Sequence, residues 1–377
     1  MKIQNKNLYK CYETDASGIL GKAAAVENPS TVQGVQQVVR MNSRVVIRGA
    51  GTGLCGGCVP QQEQDVVLDL SKLIKIGNLD KQRKTIEVEA GVVLDDLQHY
   101  LAREGLEFPV NPSSHEVCTI GGMIATDAVG SRAVKYGRTS NWVNWIEVID
   151  CNGNLSRKVR TELSDYSGME GITGVIVRAG LKLIGRKERT VSLFSSNNLH
   201  EIVENVRKLK RRGDVSMIEF IDKQISEWFE LERNYYLIVE YESGAGNLVG
   251  EEYAKIMKMR DKMYPLLAGK GHHRIEDPKI LIDKFEKLMI WFEAKKVPVF
   301  GHLGVGILHP CFSEKQEKEG LIKEMMKVVK KMGGQVSGEH GIGLLKREFV
   351  EPNDRKILIN IKKRTDVANK FNVGKVI

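Results

Sequence analysis

Apolar positions recur at helical spacing over 31–40 (TVQGVQQVVR), and the β-branched run VVIR at 45–48 then stops at a glycine. A helix feeding a short strand is predicted there. Further strands are predicted at DVVLDL (65–70) and TIEVEAG (85–91), the latter with strict alternation. VVLDDLQHYLAREG (92–105) carries an amphipathic helical pattern closed by Gly105. WIEVIDCNGN (145–154) reads as a strand entering an Asn152-Gly153 turn, and GVIVRAGLKLI (174–184) as another strand. The texture changes near GRKERT (185–190): longer helical patterns at 249–268, 279–296, 315–332 and 353–371 now surround a strand at 235–243. The pattern predicts an α+β chain in two domains, 1–185 and 186–377, with no internal repeat and no low-complexity linker.

Composition narrows the class. A chain of 377 residues can bury at least one sizeable core. Its 42% apolar and 28% charged content is ordinary for a soluble globular protein. No apolar run is long enough for a bilayer and MKIQNKNLYK lacks a signal-peptide core, so a cytoplasmic protein is expected. The six scattered cysteines suggest no disulfide framework. The net charge of +9 comes from lysines and arginines interspersed with acids, without the aromatic-interleaved basic stripe of a nucleic-acid binder. That balance suits an anionic substrate, and it allows peripheral association with the inner face of a membrane.

The candidate chemistry starts at RGAGTGLCGG (48–57), directly after a predicted strand. Arg48, Gly49, Ala50, Gly51, Thr52 and Gly53 present backbone N–H groups with little side-chain obstruction, as a loop around a pyrophosphate requires. No long helix follows, so this is not the Rossmann fingerprint. Cys55 and Cys58 form a C-x-x-C without a second pair, and loop packing explains them. A second small-residue segment, 112–139, holds Pro112, Ser113, Thr119, Gly121, Gly122, Asp127, Ser131 and Gly137, and reads as the other side of a cleft. GMEGITGVIV (168–177) adds Gly171, Gly174, Val175 and Ile176. In combination, and with YETDASG near 12–18 and the terminal FNVGKVI, these segments resemble the vanillyl-alcohol-oxidase, or PCMH-type, FAD-binding family. The resemblance implies a PCMH-type domain of two α/β subdomains, then a smaller α+β cap domain with an antiparallel sheet, the last helix returning to the FAD domain. It also implies that the residues just named line FAD. Some members tether the flavin to a histidine of the first loop; none is present here, so FAD is expected to be non-covalent, with Cys118 a buried thiol.

GHLGVGILHP (301–310) raises a geometric question. His302 and His309 are seven residues apart, which in a regular strand sends them to opposite faces. They converge only if the glycine-softened segment turns back. SGEHG (337–341) then supplies Glu339 and His340. Two imidazoles and a carboxylate suit a three-ligand site for Zn²⁺, Fe²⁺ or Mn²⁺ with open positions. GHLGVGILHP with SGEHGIGLLK resembles the D-2-hydroxyacid dehydrogenase branch: the glycolate oxidase FAD subunit, D-lactate dehydrogenase and D-2-hydroxyglutarate dehydrogenase. The resemblance implies metal ligands His302, His309 and Glu339, His340 as general base, and hydride transfer from a D-2-hydroxy acid of the lactate or glycolate class to flavin. It places Arg260 at the usual carboxylate-binding arginine, with Arg274 as a second. The branch usually reads H-x-G-D-G-N-x-H, whereas Val305 and Ile307 stand at the Asp and Asn positions, which leaves the substrate's identity open. Two alternatives remain: a non-catalytic flavin-binding subunit, or a different FAD-linked oxidase on the same fold. No cysteine pattern for an iron–sulfur centre is present, so such a centre would sit on a partner subunit; the electron acceptor and the oligomeric state stay open.

Overall fold

A computed structural model describes residues 6–377. The chain forms two compact units, each continuous only in space. One comprises the residues up to Ala128 with Arg138–Arg186 and His340–Ile377; the other comprises Val129–Gly137 and Lys187–Glu339.

In the first unit, strands Ala25–Glu27, Val66–Asp69 and Val45–Arg48 pair in parallel in that order. Helix Val32–Met41 starts where the Thr31 hydroxyl accepts the Gly34 N–H, and it buries Val32, Val35, Val38 and Val39. An antiparallel sheet follows, in the order Ile76–Asp80, Thr85–Glu89, Val175–Lys182, Val143–Ile149, Leu155–Val159. Leu94, Leu97 and Leu101 of helix Leu94–Ala102 join Phe108, Ile146 and Leu181 in its core. The chain's end is part of this unit: Phe371 is buried, and the Val45 strand exchanges N–H···O bonds with Lys370 and Asn372.

In the second unit, six strands form an antiparallel sheet in the order Thr190–Ser196, Tyr235–Tyr241, Val215–Ile221, Val299–Gly301, His309–Phe312, Arg274–Ile275. Helices Leu199–Lys210 and Phe285–Ala294 contribute apolar faces, and Phe285 packs edge-on against Phe220 at 5.0 Å. The short stretch Val129–Gly137 belongs here, contrary to the expected 1–185 domain. A buried carboxylate is one of the contacts that tie it there. Glu240 receives the Arg132 guanidinium as a fork at 2.8 and 3.1 Å, with Ser216 and Tyr253 hydroxyls each at 2.7 Å. Burial alone would raise its pKa; Arg132 and Ser216 reverse this and hold it at about 2.

Helix boundaries differ from expectation in four places. The 249–268 helix breaks at Lys262, and the 315–332 helix breaks at Gly320, whose φ is +77°. The last helix ends at Thr365. Within 112–139, helix Ile120–Thr126 forms under a Thr119 cap, although its glycines weaken the sequence signal. Among the described residues, no helix is long and apolar enough to cross a membrane.

Candidate functional site

Strand Val299–Gly301 ends in a single 3-10 turn, Leu303–Val305, and the chain reverses at Gly306 into strand His309–Phe312. Gly306 has φ +76°, and a Cβ there would lie 2.1 Å from the Ile280 carbonyl oxygen, so glycine is required twice over. Reversal pairs Phe300 with His309 and brings the rings of His302 and His309 to 5.0 Å, almost perpendicular. The turn resolves the odd spacing of the two histidines.

Glu339 completes the cluster. Its oxygens lie 3.2 Å from His309 Nε2 and 3.5 Å from His302 Nε2, and the three donor atoms all fall within 4.8 Å of one another. Asp277 orients it, accepting the backbone N–H groups of Gly338 (2.9 Å) and Glu339 (2.7 Å). The outer nitrogens of the two imidazoles are also engaged. His302 Nδ1 lies 2.5 Å from Glu219 Oε1, and His309 Nδ1 lies 3.4 Å from the Glu276 carbonyl oxygen. Burial would depress the His302 imidazolium, but the Glu219 and Glu339 carboxylates more than reverse this and raise its pKa to about 10. Burial would likewise raise Glu339; the His302 charge drives it well below the usual carboxylate range. Two imidazoles with their outer nitrogens held and their inner nitrogens facing one carboxylate fit a divalent metal of the zinc, iron or manganese kind.

The other expected residues fall as follows. Arg260 is buried, its Nε 3.4 Å from Glu219 and its Nη1 2.9 Å from Asp261. Arg274 pairs with Glu276 at 2.6 Å. Val305 and Ile307 pack with Val129 and Ala133 in an apolar cluster, and Ile307 is 1% exposed. His340 opens the segment that belongs to the first unit. Two residues further on, the Glu170 carboxylate accepts the N–H groups of Ile342 (2.6 Å) and Gly343 (2.9 Å). Burial pushes Glu170 up to about 7 despite those donors.

Within the first unit the glycine segments meet. A Cβ on Gly49 would lie 2.5 Å from Thr119 Oγ1, and one on Gly121 would lie 2.6 Å from the Ala90 side chain. Ala50 is exposed, and Gly49, Gly51, Thr52, Gly53, Pro112 and Gly122 are partly so, as a cradle requires; Ser113 is exposed. Gly171, Gly174, Val175 and Ile176 are buried. Four expected cofactor residues have other engagements. Arg48 turns inward, donating to the carbonyls of Thr14 (2.7 Å) and Cys11 (3.0 Å), which braces the early chain. Asp127 caps its helix in a left-handed conformation and accepts the Ser140 N–H at 2.8 Å. Ser131 and Gly137 lie in the stretch that clusters with the second unit.

Glu219 and Asp277 were not anticipated. The signal for Glu219 is a lone acid inside the apolar run MIEFI, a strand buried along its whole length.

Comparison with known proteins finds two domain families along the chain. Residues 23–157 match the FAD binding domain family, and residues 250–376 match the family of C-terminal domains of FAD linked oxidases. D-lactate dehydrogenase of Archaeoglobus fulgidus is 28% identical, over 97% of this chain and 95% of that protein. The glycolate oxidase subunit GlcD of Bacillus subtilis is 27% identical, over 88% of this chain and 83% of that protein. The mitochondrial D-2-hydroxyglutarate dehydrogenase of Danio rerio is 24% identical, over 92% of this chain and 76% of that protein. With a glycine-lined cradle in one unit and a His–His–Glu cluster in the other, the chain belongs to the FAD-linked oxidases, in their D-2-hydroxyacid branch, and is an FAD-dependent oxidoreductase.

Proposed function

We propose that the protein oxidises a small D-2-hydroxy acid, of the lactate or glycolate class, to the 2-oxo acid. The convergence of His302, His309 and Glu339 carries this reading. When bound, FAD supplies a hydride acceptor and a divalent metal supplies a positive charge at the substrate oxygens. His302, His309 and Glu339 hold the metal. His340 removes the proton of the substrate hydroxyl, a task suited to an imidazole near neutral pH. Arg274 anchors the substrate carboxylate: its side chain is 16% exposed against 3% for Arg260, so it keeps an accessible edge. Val305 and Ile307 add packing rather than polar contacts, which suits a substrate recognised by its hydroxyl and carboxylate alone. Electrons then pass to an acceptor outside this chain, for example an iron–sulfur subunit or another electron-accepting protein.

Metal analysis of the purified protein, with anaerobic flavin bleaching by a panel of D- and L-2-hydroxy acids, tests the reading. Stoichiometric metal and bleaching by D-isomers alone are expected. Bleaching that survives complete metal removal would overturn the metal's role. A flavin that no hydroxy acid reduces would leave a binding subunit as the better description.

A further inference from the structure

Behind His302 runs a line of charge that the reaction itself does not use. Glu219 sits on strand Val215–Ile221, with its side chain almost wholly inaccessible. One carboxylate oxygen is 2.5 Å from His302 Nδ1 and the other is 3.4 Å from Arg260 Nε. Arg260 lies near the end of helix Gly250–Asp261, and its Nη1 is steadied by Asp261 at 2.9 Å. A buried carboxylate is costly unless paired, and here it is paired on both sides.

The two histidines are treated differently. The outer nitrogen of His309 faces a backbone carbonyl, that of Glu276, at 3.4 Å. A carbonyl is enough to set a tautomer. A carboxylate also makes the imidazole a stronger donor and fixes its rotation. We infer that Glu219 is a positioning residue that holds the His302 ring with Nε2 toward Glu339, and that Arg260 positions Glu219 rather than gripping substrate. The inference rests on the metal reading given above.

The test uses the FAD-loaded, full-length protein, with Zn²⁺ affinity measured by chelator competition. Glu219→Gln keeps the size and one acceptor oxygen but removes the charge. It is expected to weaken Zn²⁺ binding 10- to 100-fold with flavin content unchanged. The visible spectrum of the Co²⁺-loaded variant should shift, which a purely structural partner would not cause. Arg260→Lys is expected to weaken Zn²⁺ several-fold and to leave the substrate KM within about twofold at saturating Zn²⁺. If Glu219→Gln does not fold, Glu219→Asp retains the charge on a shorter arm and should show an intermediate loss. His302→Ala serves as the reference for a lost ligand. Wild-type Zn²⁺ affinity in Glu219→Gln, beside its loss in His302→Ala, overturns the assignment of Glu219. A tenfold rise in KM for Arg260→Lys at unchanged affinity returns Arg260 to the substrate. If His302→Ala itself keeps Zn²⁺, the underlying metal reading fails instead.

Discussion

Glu339 and His340 are chain neighbours to which the proposed mechanism gives different tasks, one a metal ligand and the other a base. His340→Ala is therefore expected to retain metal while slowing flavin reduction by roughly 10²–10⁴-fold, measured by anaerobic stopped flow beside metal content. Loss of metal in this variant would make His340 a ligand. Lys375 presents a separate case. It is 1% exposed, and its Nζ has no hydrogen-bond partner among the described residues. Burial lowers its pKa from 10.5 to about 8, against the attraction of Cys58, Asp65, Asp15 and Glu170. Between those two values the unfolded chain binds the proton and the folded one does not, so this residue makes stability rise with pH across that window. Lys375→Met should stabilise the protein by on the order of 1–3 kcal/mol at pH 7. The gain should shrink as the pH is raised from 8 towards 10.5. Urea denaturation at both ends of the window checks this. A variant that instead sheds FAD would show that the amine serves the cofactor.

Among the elements, the hairpin from Val299 to Phe312 is the most constrained. Gly306→Ala places a methyl group against the Ile280 carbonyl and forces a left-handed φ on alanine. The left-handed conformation alone costs roughly 1–2 kcal/mol. The variant should lose metal and keep its flavin, read as two stoichiometries on one sample. Equal loss of both would mean that the hairpin also supports the first unit. How much could be read in advance follows the range of the forces involved. Period-2 and period-3.6 patterns gave strands such as Thr85–Glu89 and helices such as Val32–Met41 within a residue or two, because those faces are buried locally. The histidines were legible because the glycines between them announced a turn. Glu219 was not, since it lies 83 residues from His302 in the chain and meets it only after strands Val215–Ile221 and Val299–Gly301 pair in register. Helix Ile120–Thr126 was hidden because its Gly121 serves close approach to Ala90 rather than helix propensity. The inward turn of the Arg48 side chain was not legible either, because its partners, the carbonyls of Thr14 and Cys11, lie 34 and 37 residues away along the chain.

Across the whole molecule, the flavin should be released by acid or heat, because the 48–57 loop has no histidine and Cys118 is buried. Colour remaining in the precipitated protein would reveal a covalent bond. Apart from Val129–Gly137, the second unit runs from Lys187 to Glu339 between two segments of the first, so it is built largely as an insert. That architecture sets terms for anyone grafting it into another flavoprotein. A cassette of residues 187–339 carries all three proposed metal ligands together with Glu219, Arg260 and Asp277. It leaves behind the imidazole at 340, one peptide link and about 3.8 Å of backbone beyond the cut. It also leaves behind Arg132, which would strand Glu240 in the interior without its fork. The recipient would have to supply one histidine at the seam and one arginine far from it. Under the proposed roles, the junction that looks cleanest for recombination separates the metal from its proton acceptor, and a transplanted site would bind metal without turning over.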